Sequence, residues 1–86
     1  KGIINTRKES GTFYPNTTIL ISSAPRTTNR KVIGKYRKGQ SVHYHTVHTG
    51  NGYVWIEYTS YSGKRRFLPI RTYKNGKQGT MWGHIK

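Results

Sequence analysis

Short runs of Val, Ile, Thr and Tyr, each closed by a turn signal, fill this chain, and the 3.6-residue period of an amphipathic helix is nearly absent. That pattern leaves little besides an all-β fold. Residues 18–22 (TILIS) follow a turn signal at Pro15-Asn16. Residues 31–36 (KVIGKY) follow a loop over 24–30 that contains Pro25 and Asn29. Lys38-Gly39 marks a turn before residues 41–47 (SVHYHTV), and Gly50-Asn51-Gly52 is a strong hairpin signal. Tyr53–Thr59 (YVWIEYT) is the most strand-like run. Ser62-Gly63 leads into residues 65–70, Asn75-Gly76 marks another turn, and residues 80–85 (TMWGHI) form the last run. Six or more short strands, with turns about every eight to twelve residues, predict a small barrel or sandwich.

In YVWIEYT, alternation puts Val54, Ile56 and Tyr58 on one face and Tyr53, Trp55 and Glu57 on the other. Both faces carry bulk, so this strand is expected at the centre of the sheet, with Trp55 in the core. The 86 residues suffice for one domain, taken as 1–86, and not for two. A chain this short buries only roughly 60–65% of its unfolded surface, so each large apolar residue matters. It has no cysteine to staple it. No segment is long and apolar enough to span a membrane as a helix. The chain opens on Lys1 and reads as a domain excised from a longer protein.

Charge sets the partners. Sixteen Lys and Arg stand against two carboxylates, Glu9 and Glu57. Such a surface is drawn to polyanions. The two carboxylates are far apart in sequence, and there is no Gly-x-Ser-x-Gly nucleophile elbow, so acid–base or nucleophilic catalysis is not expected. His43 and His45 share a side of one strand and His48 follows, yet no Cys, Asp or Glu stands nearby to complete a metal site. No metal and no cofactor is expected. Basic clusters at Arg7-Lys8, Arg30-Lys31, 35–38 and 64–66 are interleaved with Tyr36, Tyr61 and Phe67. This mixture fits single-stranded nucleic acid on a small barrel. It fits an anionic wall polymer or an extended peptide equally well. Aromatics beyond the core suit a poorly functionalised strand such as polyglycine, read by shape and backbone hydrogen bonds.

The ordered series from His43 to Val47, G-Y-V-W-I-x-Y-T at 52–59, S-G-K-R-R-F-L-P-I-R-T at 62–72 and the closing M-W-G-H-I-K resembles the bacterial SH3-like (SH3b) cell-wall-targeting domains found in lysostaphin and staphylococcal phage endolysins. The run E-S-G-T-F-Y-P-N-T-T-I from Glu9 to Ile19 is collinear with it, so the resemblance spans about residues 9–86. It implies an SH3-like barrel of six to eight short antiparallel strands and no catalysis in this piece. It implies binding to the glycine cross-bridge and stem peptide of staphylococcal peptidoglycan, outside the cell, on behalf of an attached hydrolase. Teichoic acids are a further candidate partner for the basic surface. Binding of single-stranded nucleic acid is the alternative.

The resemblance also implies site residues. The Trp of its closing W-G-x-I-K falls on Trp82, and Gly83 beside it leaves room for a backbone to approach. The aromatic before L-P-[VI]-R-T falls on Phe67, where relatives often carry Tyr. The acidic position after H-Y-x falls on Thr46, and the residue two further on is His48. A G-T-x-Y run is matched by Thr12 and Tyr14, with Asn5 as the preceding Asn. For Trp82 and Phe67, a place in the barrel core is the competing role.

Overall fold

A computed structural model describes residues 2–86. Eight strands are present: β1 Ile3–Pro15, β2 Ile19–Ser22, β3 Val32–Tyr36, β4 Val42–Gly50, β5 Tyr53–Thr59, β6 Arg65–Lys74, β7 Lys77–Gln78 and β8 Gly83–Ile85. All their pairings are antiparallel, in the order β3-β2-β6-β5-β4-β1-β8, with β7 attached to β6. The sheet curls on itself as the expected small SH3-like barrel. β5 does lie at its centre, between β4 and β6.

The turns follow residue chemistry. Asn51 and Asn75 have φ of 51°, with Gly52 at 83° and Gly76 at 77°. Two consecutive positive φ values define the type I′ turn, whose twist matches an antiparallel ribbon. These two Asn-Gly pairs therefore join β4 to β5 and β6 to β7.

One side of the sheet is hydrocarbon. Phe13, Ile19, Val42, Tyr44, Val47, Val54, Ile56, Leu68 and Ile70 form a single buried cluster. Tyr44 and Val47 both belong to it although they are three positions apart, so β4 reverses its alternation in between. β1 is irregular opposite: Lys8 pairs Thr46 but Gly11 pairs Tyr44, an extra residue that makes a bulge. Thr46 and His48, opposite Glu57 and Trp55, lie on the other side of the sheet. Trp55 is fully buried, as expected, but on that other side rather than in the cluster.

Three strand expectations need correction. No strand is expected before residue 18, yet β1 is the longest strand in the domain. Its run of polar residues over 5–10 hides it, because most of that stretch is solvated. The strand beginning at Arg65 continues past Ile70 to Lys74. The last one begins only at Gly83. Met81 and Trp82 precede it as irregular chain, pinned by the Trp82 N–H donating to the Ile70 carbonyl at 2.9 Å.

Candidate binding grooves

Cross-strand pairing builds the polar side of β4, β5 and β6. Thr46 lies opposite Glu57, His48 opposite Trp55, and Glu57 opposite Phe67. Glu57 is only 5% exposed, so its charge needs partners. Arg65 supplies two, donating through Nε at 2.7 Å and through Nη2 at 3.1 Å. The third is His48, whose Nε2 lies 2.7 Å from Glu57 Oε1. Its Nδ1 is 2.9 Å from the Thr6 hydroxyl of β1. Burial pushes the Glu57 carboxyl up, but hydrogen bonds and charge from Arg65 and His48 outweigh that and hold it below the ordinary value. Phe67 sits beside this network, its ring 5.5 Å from His48 and 5.3 Å from the Arg65 guanidinium carbon above it. His48, Arg65 and Phe67, together with Ile3, Thr6 and the chain from Ser23 to Arg26, line a groove of about 390 Å³.

A second groove of about 310 Å³ lies across Trp55 and Pro69. Tyr53 meets Trp55 edge-on at 5.5 Å and Trp82 at 5.9 Å, so three aromatic rings form a continuous wall. The Trp55 Nε1–H donates to the Gly50 carbonyl at 3.0 Å, which leaves this buried indole satisfied. Thr17, Thr18, Leu20, Thr27 and Arg30 complete the rim. Trp82 is only partly buried: it leans on the edge of the core cluster and also lines the groove. It thus stands between the two places weighed for it from sequence, the core edge and a groove wall. The room beside Gly83, however, is filled by the chain itself, because a Cβ there would collide with the Tyr14 carbonyl oxygen.

The loop between β2 and β3 separates the grooves. Ser23 to Arg26 wall the Phe67 groove, while Thr27 and Arg30 wall the Trp82 groove. The loop is braced at several points. Asn51 Nδ2 donates to the Pro25 carbonyl at 2.8 Å, and the Arg26 guanidinium donates to the carbonyls of Thr28 and Asn29. Arg30 donates to the buried Ser22 hydroxyl. A braced loop keeps two concave sites in fixed relation, which lowers the ordering cost of binding an extended ligand.

The residues singled out from sequence divide among these features. Phe67 and His48 come together in one groove, with Thr46 two residues from His48 on the same side. Thr46 is buried and engaged, 2.8 Å from His45 Nδ1. Trp82 stands in the other groove. Thr12 and Tyr14 lie at a third place, the β1–β8 edge: the Thr12 hydroxyl is 2.7 Å from His43, and Tyr14 stacks on His84. Asn5 is exposed and pairs Thr49, so it is Thr6 that reaches His48. His43 turns toward β1, whereas His45 turns toward Thr59 of β5 at 3.0 Å. Glu9 is remote from Glu57, held by Arg7 at 3.1 Å and by the Tyr44 hydroxyl at 2.7 Å. Residues not anticipated are Thr6 and the 23–26 segment, while Arg30 and Arg65 are expected from sequence only as members of basic clusters and not as groove walls. Tyr53 shared its predicted face with Trp55, and that alternation was a usable signal.

Comparison with known proteins agrees with this architecture. The model of the bacterial SH3 domain family matches residues 5–70. Lysostaphin of Staphylococcus simulans is 37% identical over 82 residues, 93% of this chain and 17% of lysostaphin. The glycyl-glycine endopeptidase ALE-1 of Staphylococcus capitis is also 37% identical over 82 residues, again 93% of this chain, and 23% of that protein. The chain thus spans less than a quarter of these relatives. Among solved structures, a complex of the lysostaphin SH3b domain superposes with a TM-score of 0.88, covering 94% of this chain and 89% of that one at 37% identity. The cell wall targeting domain of the peptidoglycan hydrolase ALE-1 gives 0.87 at the same identity, covering 94% and 84%. The chain belongs to the bacterial SH3 domain family, as a non-catalytic domain of the lysostaphin-like cell-wall-targeting type.

Proposed function

We propose that this domain binds the peptide part of Gram-positive peptidoglycan, the glycine-rich cross-bridge with its adjoining stem peptide, and so carries a peptidoglycan hydrolase to the staphylococcal wall. The observation that carries this reading is the pair of grooves flanking one braced loop. A branched peptide needs two adjoining channels, and the channels here differ in the way its two arms differ. The Phe67 groove has a buried aromatic floor, with Thr6, His48 and loop backbone on its sides. It offers shape and hydrogen bonds beside the small apolar side chains of Ala24 and Pro25, which suits glycine, a residue without a side chain. The Trp82 groove offers aromatic faces and the Arg30 cation, which suit a stem peptide with side chains and a carboxylate. Phe67, His48 and Trp82 are the proposed contacts, with Thr6 and Glu57 positioning the His48 ring. The relatives' names support the reading: ALE-1 is a glycyl-glycine endopeptidase, and its matching part is a cell wall targeting domain.

Sedimentation of purified domain with nuclease-treated staphylococcal walls of defined cross-bridge tests this. Expected is retention that survives salt, because groove contacts to uncharged glycine persist where charge attraction is screened beyond roughly 8 Å. Loss of all binding at moderate salt, or equal binding to walls without glycine bridges, would remove the cross-bridge from the proposal. The domain alone should leave cell turbidity unchanged.

A further inference from the structure

Sharing no lining residue with either groove, β8 closes against the end of β1 and forms a small cationic shelf. Tyr14 and His84 are direct cross-strand partners, with rings stacked at 5.1 Å and 11°. The Lys86 ammonium lies over the Tyr14 ring at 5.7 Å. Across a concavity of about 290 Å³, the turn carrying Lys38 and Gly39 forms the facing wall. The shelf is held in shape by backbone bonds that do not involve these side chains: Thr12 and Lys86 exchange N–H···O bonds at 3.2 and 2.9 Å, and Asn16 N–H donates to the Trp82 carbonyl at 2.9 Å.

No carboxylate side chain cancels its charge: the chain has two, Glu9 engaged by Arg7 and Glu57 by Arg65 and His48. Lys38, His84 and Lys86 are all exposed. Lys38 and His84 line the concavity and the Lys86 ammonium lies beside it over the Tyr14 ring, an arrangement that forms a point-charge anion site of the kind lysines make with phosphate. The aromatic element argues against a nucleobase. Proteins that hold single-stranded nucleic acid present open rings on which bases stack, whereas the Tyr14 ring is already engaged by His84 and Lys86.

We propose that this β1–β8 shelf, with Lys38, Lys86 and His84 as donors around Tyr14, binds the phosphodiester groups of a base-free anionic polymer of the polyol- or sugar-phosphate class. Such a contact is separate from the peptide grooves and holds the domain to a phosphate-rich wall independently of cross-bridge chemistry. It does not depend on the grooves taking peptide.

The test is an NMR titration of the domain with a synthetic glycerol phosphate oligomer. Expected are saturable shifts centred on Tyr14, His84 and the 37–40 turn. The doubly substituted Lys38→Gln/Lys86→Gln protein should bind about tenfold more weakly, as expected for two lysines facing a polyanion. It should stay folded, since both side chains are exposed, and should keep its affinity for glycyl peptide. A control, Lys64→Gln/Lys77→Gln, removes the same charge elsewhere and should bind as the wild type does. Equal losses in both double variants, or shifts spread evenly over all basic residues, would show diffuse charge attraction and overturn the site. Tighter saturation of the same residues by a single-stranded oligonucleotide with as many phosphates would overturn the choice of a base-free polymer. Failure of glycyl-peptide binding with the shelf intact would count against the grooves and leave this site standing.

Discussion

On the core face of β4, β5 and β6, Val47, Val54, Ile56, Leu68 and Ile70 meet other hydrocarbon. On the opposite face, His48, Glu57 and Phe67 are nearly as well buried, but a carboxylate, an imidazole and a guanidinium lie among them. The same three strands thus solve burial twice. The apolar solution is non-directional and makes stability. The polar one is satisfied only in a specific geometry, so it fixes side chains at the floor of a groove. A domain of this size has little interior to spare, and placing a charged network under the groove suggests that rigidity there matters as much as stability.

The largest expected effect breaks the apolar side. Ile56 is fully buried at the middle of the central strand. Ile56→Ala leaves a cavity and should cost about 2–5 kcal/mol. Small domains have roughly 5–15 kcal/mol in all, so the melting temperature should fall sharply. Binding by the fraction that stays folded should not change. A variant that melts normally but binds poorly would mean the two faces are not separable in this way.

Next is Trp82→Ala, which strips one aromatic wall from the second groove. The expected loss is on the order of 2 kcal/mol of wall or stem-peptide affinity, the scale of an interface hot spot. Because Trp82 also leans on the core edge, a modest drop in melting temperature should accompany it. Calorimetry of binding beside thermal melting separates the two. A folded protein with full affinity would take Trp82 out of the site.

A smaller effect probes the charged side. Glu57→Gln keeps the shape and removes the charge facing Arg65 and His48, at an expected cost of about 1.5 kcal/mol at neutral pH. The sign of the pH dependence follows from the lowered carboxyl. A group with a depressed folded value contributes fully above its unfolded value, near 4.5, and that contribution is lost as pH falls through the folded value. Wild type should therefore lose stability below about pH 4.5, and Glu57→Gln should lose less over the same range. Some slope should remain in the variant. Glu9 is also lowered, by its Tyr44 hydrogen bond and by Arg7, against a smaller opposing effect of burial. Denaturant melts across acid pH measure both slopes, and parallel slopes would show that Glu57 does not couple to folding.

What the sequence reveals about this comparison depends on the range of the interaction. The Asn51-Gly52 and Asn75-Gly76 turns were legible because positive φ is a local demand that few residues meet. β5 was legible because both its faces are packed, which left bulky residues at every position. β1 was not. It pairs β4 along most of its length and β8 only at its end, and keeps polar residues over much of the strand, so alternation gives no signal. Phe67 and Trp82 were recognised by family motif, but their separation into different grooves was invisible. It depends on the β2–β3 loop folding back onto Asn51, a contact 26 positions apart in the chain. Glu57 looked isolated for the same reason: His48, nine positions away, and Arg65, eight away, reach it only through strand pairing.

The smallest expected effect sharpens the polar side rather than breaking it. Phe67 is 2% exposed, yet it lines the first groove beside His48 and Arg65. Phe67→Tyr adds one hydroxyl at the far end of the ring and removes nothing. If that end points along the groove, the hydroxyl stays wet in the free protein and meets a ligand carbonyl in the complex. Melting should then be unchanged within about 0.5 kcal/mol, as for substitutions that disturb no buried contact. Glycyl-peptide affinity should hold or improve by up to about 1 kcal/mol, the net worth of one hydrogen bond. If instead the ring end abuts the Glu57 network, the added oxygen overpacks a closed site and stability should fall by about 1–3 kcal/mol. The second result would place Phe67 with Glu57 in the foundation of the groove rather than on its surface, and would move the glycine contact to Thr6 and the loop from Ser23 to Arg26.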